Sequence, residues 1–267
     1  MSAAIPTLES LFGLEGKRFV VCGAGAGMGA ASARAIRGLG ADVLCVDRDP
    51  ELAEAIADEI GGRWLAADLT TVEGAEEVGR AAEGTVDGLV DVIGGASRKT
   101  IDDLDPETWD RDFDVNLRHA YLLGREFAPR MADQEDGGTL IFIASVVTEY
   151  GTHVTPAYHA AKAALVSWVR SLAVTYGPSG VRANAVSPGV TKTARIEEHL
   201  KASATALDLV IKTTALKEFQ VPEDVAGAVA FLAGPAARMI TGETIAVDAG
   251  TKVRDPWYGD SQDESLV

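Results

Sequence analysis

The 267-residue chain has only two cysteines, no excess of basic residues and no long apolar run. Cys22 and Cys45 both lie inside apolar runs, which argues against a disulfide framework and favours buried thiols in a reducing compartment. The formal net charge of −16 disfavours nucleic acid and anionic lipid as partners, because it would repel both. No apolar run approaches a membrane span and the N-terminus lacks a signal pattern, so we expect a cytoplasmic protein without a membrane partner.

Histidine is also scarce, and its spacing argues against a metal site. The four residues His119, His153, His159 and His199 form no cluster with each other or with cysteine. We therefore expect no catalytic metal.

The chain instead contains short apolar runs that alternate with longer helical patterns. The expected strands are 18–22, 42–46, 63–67, 88–92, 139–144, 181–186 and 244–248. The helical patterns lie near 28–38, 50–60, 71–83, 106–131, 156–177 and 222–233. Continuously apolar strands between helices indicate a parallel sheet that is covered on both faces. We predict an α/β, three-layer Rossmann-type doubly wound fold with a mainly parallel seven-stranded sheet, in a single catalytic domain over 1–267.

A glycine-rich loop follows the first expected strand and opens a helix. Gly23, Gly27 and Gly29 have a GxxxGxG spacing within CGAGAGMG. Glycine permits unusual backbone angles and lets a pyrophosphate approach the N–H groups of a helix N-terminus. We expect this loop to bind a dinucleotide, the alternative being a tight structural turn.

Acidic side chains follow the second and third expected strands. Asp47 lies where a carboxylate binds the adenosine ribose diol, which favours NAD and disfavours the extra phosphate of NADP. Arg48 leaves NADP open, since its guanidinium could accept that phosphate, stack on adenine or face solvent. Asp68 is placed to meet the adenine edge or, alternatively, to cap the following helix.

Tyr158 and Lys162 lie four residues apart on one face of an apolar helix. A phenol has a pKa of about 10, and a neighbouring ammonium lowers it, so the pair suits proton transfer. Ser145 ends the fifth expected strand, where ligands bind in parallel α/β folds, although a strand-end cap is the alternative.

These residues resemble the motifs of the short-chain dehydrogenase/reductase family, over about Gly16 to Gly250. The glycine loop has the family's spacing, and YHAAK matches its YxxxK motif with Ser145 at the expected distance. FDVNLRHAY resembles the helix of the family's catalytic asparagine, which assigns that role to Asn116. RANAVSPGVTKT resembles its PG segment and ITGETIAVDAG its final strand.

The resemblance implies NAD(P)-dependent interconversion of a secondary alcohol and a ketone. Ser145 would bind the substrate oxygen and Tyr158 would exchange its proton. Lys162 would hold the nicotinamide ribose and lower the pKa of Tyr158, while Asn116 would support a proton-relaying water. The implied cofactor residues are Gly23, Gly27, Met28, Gly29, Asp47, Arg48, Asp68, Leu69, Gly94, Tyr158, Lys162, Pro188, Gly189, Thr191 and Thr193.

One family motif is altered in this chain. DVIG, Asp91 to Gly94, stands where the family has NNAG. Gly94 keeps the close backbone approach, but the asparagine side chains that tie this strand to its neighbour are gone. We interpret the change as structural variation, because Asn116, Ser145, Tyr158 and Lys162 are intact.

The sequence indicates the substrate-binding residues less clearly than the cofactor-binding residues. The segment 194–217 corresponds to the family's substrate-covering lid, and an acidic tail occupies 255–267. Candidate substrate contacts are Ser145, Val147, Tyr150, His153 and Tyr158, a set that favours a hydrophobic or cyclic small-molecule substrate.

Two other functions stay open at this point. One is reduction of an acyl-carrier-linked or quinone carbonyl, which the acidic surface disfavours for an acidic carrier. The other is a non-catalytic dinucleotide sensor, which would need no proton relay. The helices at 106–131 and 156–177 commonly pair between subunits in the family, so we expect a homotetramer first and a dimer second.

Overall fold

A seven-stranded sheet with the order β3-β2-β1-β4-β5-β6-β7 forms the centre of the molecule. The computed structural model describes residues 6–201 and 204–253, and the predicted acidic tail lies outside them. The strands are β1 (Arg18–Cys22), β2 (Asp42–Asp47), β3 (Arg63–Ala66), β4 (Gly88–Asp91), β5 (Gly138–Ile143), β6 (Val181–Pro188) and β7 (Thr244–Val247). Every neighbouring pair is parallel, so the predicted mainly parallel sheet is parallel throughout.

Ten α-helices accompany these strands in the part of the chain that the structure describes. They are α1 (Leu8–Phe12), α2 (Gly27–Gly38), α3 (Pro50–Ile60), α4 (Val72–Ala81), α5 (Pro106–Phe113), α6 (His119–Ala132), α7 (Pro156–Tyr176), α8 (Ala194–Lys201), α9 (Ala204–Thr213) and α10 (Pro222–Ala233). Since the first strands and helices alternate along the chain, parallel pairing follows directly.

The two faces of the sheet are covered by different helices. Val20, Cys22 and Leu44 belong to a core layer with α4, α6 and α7. Val21 and Cys45 belong to the opposite layer with α2, α3 and α10. The two cysteines are therefore buried thiols on opposite faces of neighbouring strands, which keeps their sulfur atoms apart.

The strand order reverses between β1 and β4, and β4 is the central strand of the sheet. Connections from these two strands leave in opposite directions, so a crevice opens beyond their carboxyl ends. The glycine loop after β1 and the altered DVIG segment after β4 both lie at this crevice.

The structure differs from the sequence-based prediction in one helical region. The helix expected over 106–131 is interrupted by one turn of π-helix, Asp114–Arg118, between α5 and α6. The segment 194–217, whose sequence pattern is helical but weak, contains α8 and α9, in agreement with that pattern. Across the described residues, none of the helices combines the length and the apolar character that crossing a membrane requires.

Candidate active site

The conformation and packing of the glycine loop require residues without side chains. Gly23 and Gly27 have positive φ angles of 76° and 54°, which favour glycine. A Cβ at Gly29 would overlap the carbonyl oxygen of Gly23, so the first turn of α2 packs directly on the loop. Helix N-termini that follow such a loop can bind anions through their backbone N–H groups, so the predicted phosphate site stays a prediction. Met28 is partly buried against the core layer of α2.

Asp47 lies beside this loop at the carboxyl end of β2. Its Oδ2 accepts a hydrogen bond from the Gly25 N–H at 2.9 Å, and its Oδ1 accepts from Asp49 N at 3.1 Å. Arg48 is exposed beside it. The carboxylate is therefore held in the crevice by backbone donors while the guanidinium faces solvent.

Asp68 does not cap the following helix, which was the alternative left open. The cap of α4 is Thr71, whose side chain accepts from Gly74 N. Asp68 instead accepts from the N–H and the hydroxyl of Thr70, and these bonds lower the pKa of its carboxyl. Its side chain is exposed beyond the end of β3, whereas that of Leu69 is buried in the core, so only the backbone of Leu69 can face a cofactor.

Ser145 and Tyr158 come together at the carboxyl end of β5. Burial raises the pKa of the Tyr158 phenol, while its hydrogen bond with Ser145 acts in the opposite direction. Ser145 also caps the short 3-10 helix Val146–Glu149, since its hydroxyl accepts from Val147 N at 3.4 Å. The hydroxyl therefore has the capping role that was one of the two alternatives, and it also contacts the phenol.

Lys162 lies one turn after Tyr158 and is only 2% exposed. Its ammonium donates to the carbonyl oxygens of Ile143 at 2.8 Å and Ile93 at 3.3 Å, so it points toward the ends of β5 and β4. Burial lowers the pKa of this lysine from 10.5 to about 8. The expected lowering of the Tyr158 pKa by Lys162 does not appear; Ser145 is the group that lowers it.

Asn116 is fully buried in the π-helical turn next to these residues. Its amide nitrogen donates to the carbonyls of Gly95 at 2.6 Å and Asp112 at 2.8 Å, and its oxygen accepts from Gly95 N at 3.0 Å. A Cβ at Gly94 would lie 3.1 Å from both the Asn116 oxygen and the Lys162 ammonium nitrogen. Asn116, Lys162 and the segment after β4 thus form one packed unit.

The segment after β6 returns to the glycine loop. Pro188 ends β6, and the Gly189 N–H donates to the Val247 carbonyl at 2.9 Å. Gln220 donates to the hydroxyl of Thr191 at 3.0 Å. The methyl group of Thr193 lies 3.2 Å from where a Gly27 Cβ would be, so the two loops face each other across the crevice.

A cavity of about 270 Å³ adjoins the segment that follows Ser145. Its lining consists of Val146, Tyr150, Val190, Val210, Thr213, Thr214, Glu218, Gln220, Asp248, Ala249 and Thr251. Of the five predicted substrate contacts, Tyr150 is in this lining, whereas Ser145, Val147, His153 and Tyr158 are not. His153 is exposed, as a loop histidine commonly is.

A buried pair that sequence reasoning missed lies behind the lysine. Asp91 at the end of β4 and His119 at the start of α6 contact each other, with 2.7 Å between Oδ2 and Nδ1. The signal available in the sequence was the aspartate in DVIG, where the family has asparagine. Its partner is 28 residues away, and no local spacing connects them.

Comparison with known proteins gives extended similarity to dehydrogenases. A family model described as enoyl-(acyl carrier protein) reductase matches residues 23–252. The D-threitol dehydrogenase of Mycolicibacterium smegmatis is 33% identical, over 91% of this chain and 95% of that protein. The cis-4-hydroxycyclohexanecarboxylate dehydrogenase of Sinomonas cyclohexanicum is 35% identical, over 86% of this chain and 94% of that protein.

Solved structures agree with the sequence relatives. A short-chain type dehydrogenase/reductase from Mycobacterium ulcerans has a TM-score of 0.86 at 27% identity, covering 91% of this chain and 92% of its own. A 7α-hydroxysteroid dehydrogenase, solved with NADH and 7-oxo glycochenodeoxycholic acid, has a TM-score of 0.85 at 28% identity, covering 92% and 98%.

The doubly wound sheet and these similarities define the chain as an oxidoreductase of the dinucleotide-binding α/β class. It belongs to the short-chain dehydrogenase/reductase family, whose members use NAD or NADP.

Proposed function

We propose that the chain is an NAD-preferring dehydrogenase that interconverts an uncharged secondary alcohol, hydrophobic or cyclic, and its ketone. The observation that carries this proposal is the meeting of Ser145, Tyr158 and Lys162 at the ends of β4 and β5, beside the glycine loop. The whole chain would act as one catalytic domain, because all described strands belong to one sheet.

The residues of the crevice fit a dinucleotide. The Gly29 packing would bring the N–H groups of the α2 N-terminus close to a phosphate, and the absence of a Cβ at Gly94 avoids a group 3.1 Å from the Lys162 ammonium, which would hold the ribose. Gly23, Gly27, Asp47 and Thr193 would hold the adenosine and phosphate half. When bound, the nicotinamide supplies the hydride-exchange chemistry.

The protein's own groups would orient the substrate and move its proton. The Ser145 hydroxyl would donate a hydrogen bond to the carbonyl oxygen of a ketone substrate or accept one from an alcohol. The Tyr158 hydroxyl would give its proton to that oxygen during reduction and take it back during oxidation. Since burial, together with Tyr150, raises the pKa of Tyr158, the ammonium of Lys162 would have to turn toward the phenol or ribose for this exchange to proceed near neutral pH.

Preference for NAD is supported by the fixed carboxylate of Asp47, which would repel a ribose phosphate. Asp47→Ala should shift the ratio of kcat/KM values toward NADP. Asp42→Ala, at the exposed opposite end of β2, should leave the ratio unchanged. An unaltered ratio in Asp47→Ala would contradict this assignment.

An uncharged substrate is supported by the cavity beside Ser145. Its described lining carries two carboxylates, Glu218 and Asp248, and no cationic side chain, while Val146, Val190 and Val210 form an apolar wall. A negatively charged substrate would be repelled there. The same charges disfavour an acyl-carrier thioester, whose carrier is acidic.

The test measures the turnover of a panel of alcohols, with NAD and with NADP, through the change in nicotinamide absorbance. We expect cyclohexanol-type alcohols to give higher kcat/KM values than the matched cis-4-hydroxycyclohexanecarboxylate, and higher values than threitol. Preferential turnover of threitol would instead favour a polyol substrate, for which Thr213, Thr214 and Gln220 offer hydrogen bonds. Tight NAD binding without any turnover would favour the sensor function.

We propose that the chain assembles as a homotetramer, with a dimer as the second choice. The sequence suggests that α7 is apolar nearly all round, but its exposed face is small and mixed, with Ala163, Ser167, Arg170, Ser171 and Val174. Small side chains still allow close approach of a partner helix.

A further inference from the structure

A buried carboxylate and imidazole lie directly behind the proposed active site. The side chains of Asp91 and His119 are 0% and 1% exposed, and 2.7 Å separates Asp91 Oδ2 from His119 Nδ1. Because a carboxylate only accepts hydrogen bonds, Nδ1 carries the proton. Among the residues that the structure describes, none forms a hydrogen bond with the buried His119 Nε2. Such a pair is costly in an apolar interior, where well-packed hydrophobic residues are often as stable.

The pair is connected to Lys162 through the backbone after β4. Asp91 Oδ1 accepts a hydrogen bond from Ile93 N at 3.2 Å, and the carbonyl of Ile93 accepts one from the Lys162 ammonium at 3.3 Å. A Cβ on Gly94 would already lie 3.1 Å from that ammonium nitrogen. A small displacement of residues 93–95 would therefore change the surroundings of Lys162.

The pair also contributes charge. Asp91 acts against burial and raises the pKa of Lys162, which is nevertheless only about 8. The other titratable groups on neighbouring elements are Tyr158 on the same helix, the Cys22 thiol of β1 and Asp112 of α5. Asp112 is occupied with the N–H and hydroxyl of Ser97, and Asp91 also raises the pKa of Cys22. Asp91 is thus the carboxylate that acts on the lysine.

We propose that Asp91 and His119 are positioning residues of the active site, which hold the Ile93 carbonyl toward Lys162 and supply the counter-charge of its ammonium. His119 orients the Asp91 carboxylate by donating to Oδ2. The consequence for turnover rests on the proposed function, whereas the ionisation of Lys162 can be measured in the protein alone.

Two pairs of variants separate this role from simple structural support. Asp91→Asn removes the charge at constant size, and Leu89→Ala weakens the same face of the same strand without changing charge. His119→Leu removes the donor, leaving Asp91 in an apolar interior where its ionised form is disfavoured. His119→Asn keeps an N–H group near the position of Nδ1.

The measurement is a pH titration of the Lys162 side chain by NMR with isotopically labelled lysine, with the signal assigned by its loss in Lys162→Met. We expect the midpoint to fall by about one pH unit in Asp91→Asn and to fall in His119→Leu. Leu89→Ala and His119→Asn should keep the wild-type midpoint. Thermal unfolding of each variant identifies those that fold.

An unchanged midpoint in Asp91→Asn would overturn the proposal, as would equal midpoints in His119→Leu and His119→Asn. If Asp91→Asn does not fold, the two His119 variants decide the question. A shifted midpoint together with no turnover of any alcohol would contradict the proposed function but support the positioning of Lys162.

Discussion

At the scale of single residues, Lys162 combines a charged side chain with a buried position. A side chain that is 2% exposed must keep an ammonium in an apolar interior, and its pKa of about 8 reflects that cost. Two backbone carbonyls and the charge of Asp91 offset part of it. A residue that destabilises the fold and yet lies one helical turn from Tyr158, with Asn116 beside the same Gly94, is best explained by function.

Replacement of Lys162 should therefore make the protein more stable while removing its activity. The folded state binds this proton more weakly than the unfolded chain, whose lysine has a pKa of 10.5, so stability rises between about pH 8 and 10.5. Lys162→Met should raise the free energy of unfolding at pH 7 by about 1–3 kcal/mol and abolish that rise.

Urea unfolding at pH 7 and above pH 10 measures both effects. Lys192→Met is the control, because the Lys192 side chain is half exposed beside Glu197 and should change stability little. A Lys162→Met protein less stable than wild type at pH 7 would contradict the expectation.

Tyr158→Phe tests the proposed proton transfer at the same scale. The variant keeps the ring and loses the hydroxyl, so turnover should fall roughly 10²–10⁴-fold while NAD affinity stays near normal. Tyr176→Phe, at the end of the same helix, should retain wild-type turnover. Steady-state kinetics together with NAD titration measure both properties, and normal turnover in Tyr158→Phe would exclude it as the proton carrier.

At the scale of elements, helix α2 contains one glycine that is tightly packed and one that is not. Gly29 packs on the carbonyl of Gly23 with no room for a Cβ, whereas Gly38 at the other end of the helix has open space around it. The first position serves the loop that faces the crevice, and the second has no such constraint. The same residue type therefore has opposite consequences within one helix.

Alanine at these two positions should give opposite changes in stability. Gly29→Ala should cost about 1–3 kcal/mol through overpacking and weaken dinucleotide binding. Gly38→Ala should add about 0.5 kcal/mol, because alanine loses less backbone entropy in a helix. Denaturant unfolding and calorimetric titration with NAD check both, and a neutral Gly29→Ala would show that the loop can relax.

At the scale of the whole molecule, the strand order decides where the site lies. The reversal between β1 and β4 brings the glycine loop, the DVIG segment and Lys162 to one crevice. The surplus of acidic residues over 24 basic ones keeps the surface negative, which suits an uncharged substrate better than an anionic one. The exposed face of α7 is the surface that we propose for subunit contact.

A charged side chain on that face should break the proposed tetramer. Ala163→Arg places a long cation on the exposed side of α7 and should yield dimers or monomers. Ala55→Arg, the same change on the exposed side of α3, should leave the assembly intact. Light scattering after size-exclusion chromatography measures the mass, and an Ala163→Arg protein with the wild-type mass would exclude this face.

Local patterns in the sequence determined the elements of this protein and the motifs at their ends. Continuous apolar runs and helical periods predicted all seven strands to within two residues at each end. The reason is that strand burial and helix amphipathicity produce patterns among residues that are close in the sequence. The tertiary structure alone decided which distant groups meet. Asp91 pairs with His119, Thr193 faces Gly27, and Lys162 donates to the carbonyls of Ile143 and Ile93. These contacts depend on how whole elements pack across the sheet. Local spacing in the sequence does not determine which residues from distant parts of the chain approach each other.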